Sequence, residues 1–368
     1  MSAAPPPSDV ELLLRGMRGP LTLDEGRWER VLRIARATGL HARLAATNAN
    51  NPDLSAVLRR HFLSASRIAA FRSQMVRAEL FQLAPLCAVD HPVIVLKGGA
   101  YLLQDRPMTV GRFVSDVDLM VPRERLRAME RALHAAGWRT EELSAYDERY
   151  YRDWSHETPP MRYPGHALEV DLHHAITPVT GSLAFDPAPL FEHSVAIPGT
   201  PFRVLATEDQ VLHACVHCFH DGDLALRIRE LVDIDALLRE SAAEDGFWTR
   251  LLARAEALGL QRPLWYGLHF ATGLMACPVP EAVMAGLPRP PGITIRLMDR
   301  LLPLAMLPTD PDGPPPLRAR LARAAMLARY HLLRMPLHML VPHLARKTSL
   351  RLRARLAEKK GAPDDGAP

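Results

Sequence analysis

Two carboxylates two residues apart, Asp116 and Asp118 in the run Ser115-Asp116-Val117-Asp118-Leu119, are the groups of this 368-residue chain best placed to do chemistry. On an extended strand side chains alternate between faces, so both acids point the same way. Like charges held that close repel and raise each other's pKa unless a cation lies between them, and a magnesium ion with oxygen ligands is the natural neutraliser. An exposed edge strand with two solvated acids is the simpler account of a bare Asp-x-Asp, so the weight rests on what surrounds the pair.

Upstream, the run Pro92-Val93-Ile94-Val95-Leu96 stops at Lys97-Gly98-Gly99. Gly98 and Gly99 would let backbone N–H groups approach a triphosphate with no Cβ in the way, and Lys97 adds a mobile positive charge. Arg112 is a second candidate contact for phosphate or pyrophosphate; for both cations a surface charge capping a turn is the alternative. Downstream, Ala167 to His173 carries a third acid, Asp171, with Glu169 and His173 on its face and Leu168, Val170 and Leu172 on the other. Asp171 would complete a metal site of three carboxylates holding two magnesium ions, one polarising an attacking hydroxyl and one binding the leaving pyrophosphate. His173 could orient a carboxylate or contact phosphate.

These groups need strands and helices to hold them. Pro92–Leu96, Val117–Val121 and Ala167–His173 read as strands, while Arg123–Ala136 has helical spacing and stops at Gly137, a natural C-terminal cap. Before them, apolar residues recur at three- and four-residue spacing from Leu21 to Asn48 and from Leu54 to about Ala88. After them, Thr207-Glu208-Asp209-Gln210 matches a capping box, and helical periodicity continues through Leu226–Leu238, Phe247–Leu258 and Leu264–Met275. The expected organisation is a flexible N-terminus (1–20), N-terminal helices (21–90), an α/β domain (91–206), a helical domain (207–307), and a proline-rich linker with a basic C-terminal tail (308–368).

With those elements in place, the chain resembles the uncharacterised nucleotidyltransferase family of the polymerase-beta-like superfamily, often met in bacterial exopolysaccharide and peptide-modification gene clusters. Leu96-Lys97-Gly98, Arg112 and Asp116-Val117-Asp118-Leu119-Met120-Val121 carry the likeness, followed by Glu169-Val170-Asp171-Leu172-His173. His217 and Arg229-Glu230-Leu231-Val232-Asp233 extend it into the helical part. The resemblance runs roughly from Trp28 to Leu340 and is strongest between Leu96 and Asp235. It implies an α+β fold: a polymerase-beta-like nucleotidyltransferase α/β domain with N-terminal helices and a C-terminal helical domain. Carried over, Gly98 and Gly99 lie by the triphosphate, and Asp116, Asp118 and Asp171 bind metal. The 16 residues between Gly99 and Asp116 exceed the gap usual in the wider superfamily.

The function so implied is magnesium-dependent transfer of a nucleoside monophosphate from an NTP to a small molecule, saccharide or peptide acceptor, with pyrophosphate release. The alternative is an inactive protein of the same fold serving as a binding or scaffold subunit in an exopolysaccharide or peptide-modification pathway. His213, His217 and His220 share one helical face, which suits a zinc site, a cleft lining facing nucleotide or acceptor, or plain packing. Tyr150, Tyr151, Trp154 and Tyr163 could line an acceptor or base pocket or simply pack, and Asp233 and Asp235 with Arg229 read as helix-surface or interdomain pairs.

Composition narrows the setting. Hydrophobic residues at 48% and charged residues at 23% describe a soluble globular chain, and four cysteines give no disulfide framework. With no secretory pattern at the start of the chain, a cytoplasmic location is expected. The apolar centre of Pro263–Pro280 is too short to span a bilayer. From Leu317 to Lys360 there are 12 Lys/Arg and a single acid, Glu358, a segment suited to an acidic partner or a peripheral membrane surface or to being a solvated helical face. No specific nucleic-acid partner is predicted.

Overall fold

A computed structural model of the chain describes residues 7–87, 91–140, 151, 155–177, 181, 183, 185–220, 224–225, 227–308, 310, 312–334, 338 and 340–342. Its centre is one mixed sheet of seven strands: β1 (Val93–Val95), β2 (Asp116–Met120), β3 (Arg139–Thr140), β4 (Met161–Arg162), β5 (Glu169–His173), β6 (Val195–Ala196) and β7 (Phe202–Val204). They lie in the order β3-β4-β5-β2-β1-β7-β6. β2 runs parallel to β5 and antiparallel to β1, which is parallel to β7. β1, β2 and β5 lie in the runs expected to be strands, whereas the two- and three-residue β3, β4, β6 and β7 have no counterpart among them.

Helices α1 (Asp9–Gly16), α2 (Glu25–Ala37), α3 (His41–Thr47) and α4 (Ala56–Leu83) precede the sheet. The expectation of a flexible 1–20 stretch is corrected at α1. Ser8 and Glu11 form a reciprocal capping box there, and Leu12, Leu13 and Leu14 are buried. Between β1 and β2 lies α5 (Lys97–Leu103), so the glycine pair opens a short helix rather than an open turn. α6 (Leu126–Ala136) ends at Gly137, whose φ of 111° is costly for any residue with a Cβ.

After α7 (Ala188–Glu192) and the last two strands the chain is helical: α8 (Thr207–His220), α9 (Ile228–Ser241), α10 (Phe247–Ala257), α11 (Gln261–Met275), α12 (Glu281–Ala285), α13 (Gly292–Met306) and α14 (Leu317–Arg334). One contiguous buried cluster runs from Leu12 through the strands to Met326, so the sheet and the helices share a core. The first part of the expected basic tail is α14. There Arg329 donates to the Phe219 carbonyl (2.7 Å) and Arg323 to that of Ala305 (3.1 Å), which makes these two charges docking contacts. Residues 343–368 of that tail lie outside the described residues. Among the described residues no helix is long and apolar enough to cross a membrane.

Candidate active site

The register of β2 on β5 builds the site. Asp116 lies opposite Glu169, Asp118 opposite Asp171, and Met120 opposite His173, so the acids of both strands share one face. The other face carries Val117, Leu119, Val170 and Leu172, all fully buried. Asp118 is 2% exposed. Its Oδ1 accepts from Lys97 Nζ (2.8 Å) and from His173 Nε2 (3.0 Å), and since an ionised carboxylate only accepts, Nε2 of His173 carries a proton. Burial alone would raise the Asp118 pKa, but Lys97 and His173 outweigh it and hold the carboxyl well below the usual range. Among the described residues Asp171 has no such partners. Burial, then the charge of Asp118, pushes it up to about 7, and its buried Oδ1 finds no hydrogen-bond partner among those residues.

Lys97 joins this face from the end of β1. Its φ of 45° is left-handed, a conformation that costs a residue with a Cβ about 1 to 2 kcal/mol. Burial would lower its pKa, but Asp118, Asp116 and Glu157 raise it, so it stays an ammonium. Behind it the glycines serve close packing. A Cβ on Gly98 would sit 2.3 Å from Arg112 Nη1, and one on Gly99 would sit 2.8 Å from Val95 Cγ1. Arg112 is committed to Asp233: Nε donates to Oδ2 at 2.9 Å, and Arg43 Nη1 donates to Oδ1 at 3.2 Å. Asp233 is thus a buried tie between α9 and the elements on the sheet side, while Asp235 pairs with Arg239.

Of the helical histidines, His217 Nδ1 lies 3.2 Å from Glu230. His213 is buried, and its pKa falls well below normal through burial, then the charge of Lys97. Lys97, His156, Glu157, His217, Tyr330 and Arg334 line a cavity of about 120 Å³, which α14 closes from the helical side. A larger cavity, about 720 Å³, is lined by Arg123, Glu124, His174 and Phe185 but by none of the carboxylates of the sheet face, so size does not mark the chemistry. Tyr163 packs edge-on against Trp138, with centroids 5.1 Å apart. Tyr150 and Trp154 lie outside the described residues.

Among the described residues, the donor atoms that come within 4.8 Å of one another as a group of three belong to His156, Glu157 and His173 rather than to the three aspartates or to His213, His217 and His220. His156 and Glu157 escaped the sequence reading. Nothing local marks them, because they reach the site through backbone pairing with the end of β5, where Thr158 N donates to Leu172 O and His174 N to His156 O, each at 2.8 Å.

Compared with known families, residues 24–276 match the model of an uncharacterised nucleotidyltransferase. The chain belongs to that family. Membership makes this nucleotidyltransferase a transferase at the coarse level, with a nucleoside triphosphate as substrate, and the mixed sheet with flanking helices is compatible with such a domain. No curated protein and no solved structure matches the chain.

Proposed function

We propose that the protein transfers a nucleoside monophosphate from an NTP to an acceptor hydroxyl or similar group and releases pyrophosphate, in a magnesium-dependent reaction at Asp116, Asp118 and Asp171. The observation that carries this reading is the register of Asp118 against Asp171 across a parallel strand pair, with one Asp171 oxygen buried and lacking a partner among the described residues. An orphaned buried carboxylate oxygen costs free energy that a cation would recover, which is the fit expected of a metal ligand. Two magnesium ions held there would activate the attacking hydroxyl and neutralise the pyrophosphate as it leaves.

The chain's own groups bind and orient. Lys97, already facing the cavity, exchanges Asp118 for a phosphate oxygen when nucleotide enters, and His217 faces the same space. Gly98 and Gly99 bring the first turn of α5 close to the phosphates. His173 keeps Asp118 turned toward the shared face through its Nε2–H. Arg112 acts as a positioning residue, holding the first turn of α5 against Asp233.

The test is release of pyrophosphate from a labelled NTP with magnesium. The double variant Asp116→Ala, Asp118→Ala should abolish it, and release that survives would overturn the assignment. A second reading, a binding or scaffold protein with this fold, is favoured by Lys97 Nζ and His173 already satisfying Asp118 Oδ1. Nucleotide binding with no pyrophosphate release for any acceptor class would select it.

A further inference from the structure

Next to the aspartates the chain assembles a second set of donors with different chemistry. His173 Nδ1 and His156 Nε2 lie 3.7 Å and 3.8 Å from Glu157 Oε2. Those separations are too long for hydrogen bonds. Donors about 2.1 Å from one shared ion sit roughly 3 to 4 Å apart, so small movements would close a coordination sphere. The backbone holds the set in place, because Glu157 bridges to His173 and its neighbours Thr158 and His156 bond to β5.

We propose that His156, Glu157 and His173 form a binding site for a divalent transition-metal ion of the zinc type, separate from the magnesium site assigned to the aspartates. Two imidazoles and one carboxylate are a borderline donor set that suits zinc, cobalt or iron, whereas magnesium prefers oxygen. The tautomer agrees. With its Nε2–H given to Asp118, His173 has Nδ1 as the nitrogen that can ligate on the Glu157 side, and a carboxylate behind a ligating imidazole is the usual support of such sites. Charge agrees as well, since Asp116, Asp118 and Glu157 outnumber Lys97 and Arg334, the cations that act on this group. His156 and Glu157 also line the 120 Å³ cavity, which leaves the ion a position open to water or to an incoming oxygen, as in catalytic rather than structural zinc sites.

The test reads the metal directly, without reference to turnover. Full-length protein stripped with a chelator is titrated with zinc by calorimetry and with cobalt by visible absorption, in excess magnesium. One equivalent should bind and give a cobalt spectrum of nitrogen ligation. His156→Ala and Glu157→Gln should each weaken binding by at least about 100-fold, and Asp118→Asn by about 10-fold, with melting curves showing that each variant is folded. Asp116→Ala and Asp171→Ala should leave the zinc stoichiometry unchanged. Failure to bind either ion overturns the proposal. So does binding that survives in His156→Ala and Glu157→Gln but disappears in the aspartate variants, which would assign the ion to the aspartates. Pyrophosphate release tests the aspartate reading separately, so the two can fail independently.

Discussion

Buried charge is handled in opposite ways at two places joined through the first turn of α5. In the Arg43, Arg112, Asp233 cluster two cations face one anion, and both oxygens of Asp233 are bonded. On the acidic face of the sheet, carboxylates outnumber the ammonium of Lys97, and an oxygen of Asp171 has no partner among the described residues. A carboxylate bonded through both oxygens fixes geometry. A buried carboxylate oxygen left without a bond asks for something from outside, and the same burial that makes the first cluster rigid makes the second reactive.

The contrast breaks most visibly by removing one side of it. Asp116→Ala with Asp118→Ala should lower pyrophosphate release at least about 1000-fold and should also lower the melting temperature, because Lys97 loses the buried carboxylate it is bonded to. Asp233→Ala should act first on stability: Arg43 and Arg112 lose the buried carboxylate that both bond, at a cost of about 3 to 5 kcal/mol in urea unfolding. A third substitution reads the leftover charge through pH. The folded pKa of Asp171 is raised to about 7, so below about pH 4 it contributes nothing. As pH rises toward 7 the unfolded chain ionises first and stability is lost, and above 7 the loss is complete. Metal-free Asp171→Asn should therefore unfold at the same urea concentration as the parent near pH 4 and be more stable at pH 8, by at most about 4 kcal/mol. A pH-independent difference would contradict the assignment. The smallest effect belongs to the join between the two places. Gly98→Ala should cost about 1 to 3 kcal/mol in the same measurement, because the new methyl displaces Arg112 from α5.

Much of this was legible in the residues. Val93–Val95, Asp116–Met120 and Glu169–His173 announce themselves as strands by β-branched runs and alternation, and that alternation alone puts Asp116, Asp118, Asp171 and His173 on one face. Gly137 marked the end of α6 for a reason visible in its φ. What the sequence could not display were relations across distance. Arg112 reads as a free cation until Asp233, 121 residues away, is folded against it. His156 and Glu157 look like ordinary loop residues because only pairing with β5 gives them a shared direction. Strands of two residues such as β3 and β6 have no period to detect and exist because a neighbour supplies their hydrogen bonds.

The pairing of β2 with β5 also acts as a proofreading device. Asp118 meets Asp171 only while Val117, Leu119, Val170 and Leu172 are all turned into the core. A slip by one residue would turn every side chain of the slipped strand over, exposing its apolar residues and driving its acids inward. The alignment of the carboxylates is thus enforced by the oily side of the same strands, and a chain that mispairs them forfeits its fold before it can produce a miscut active site.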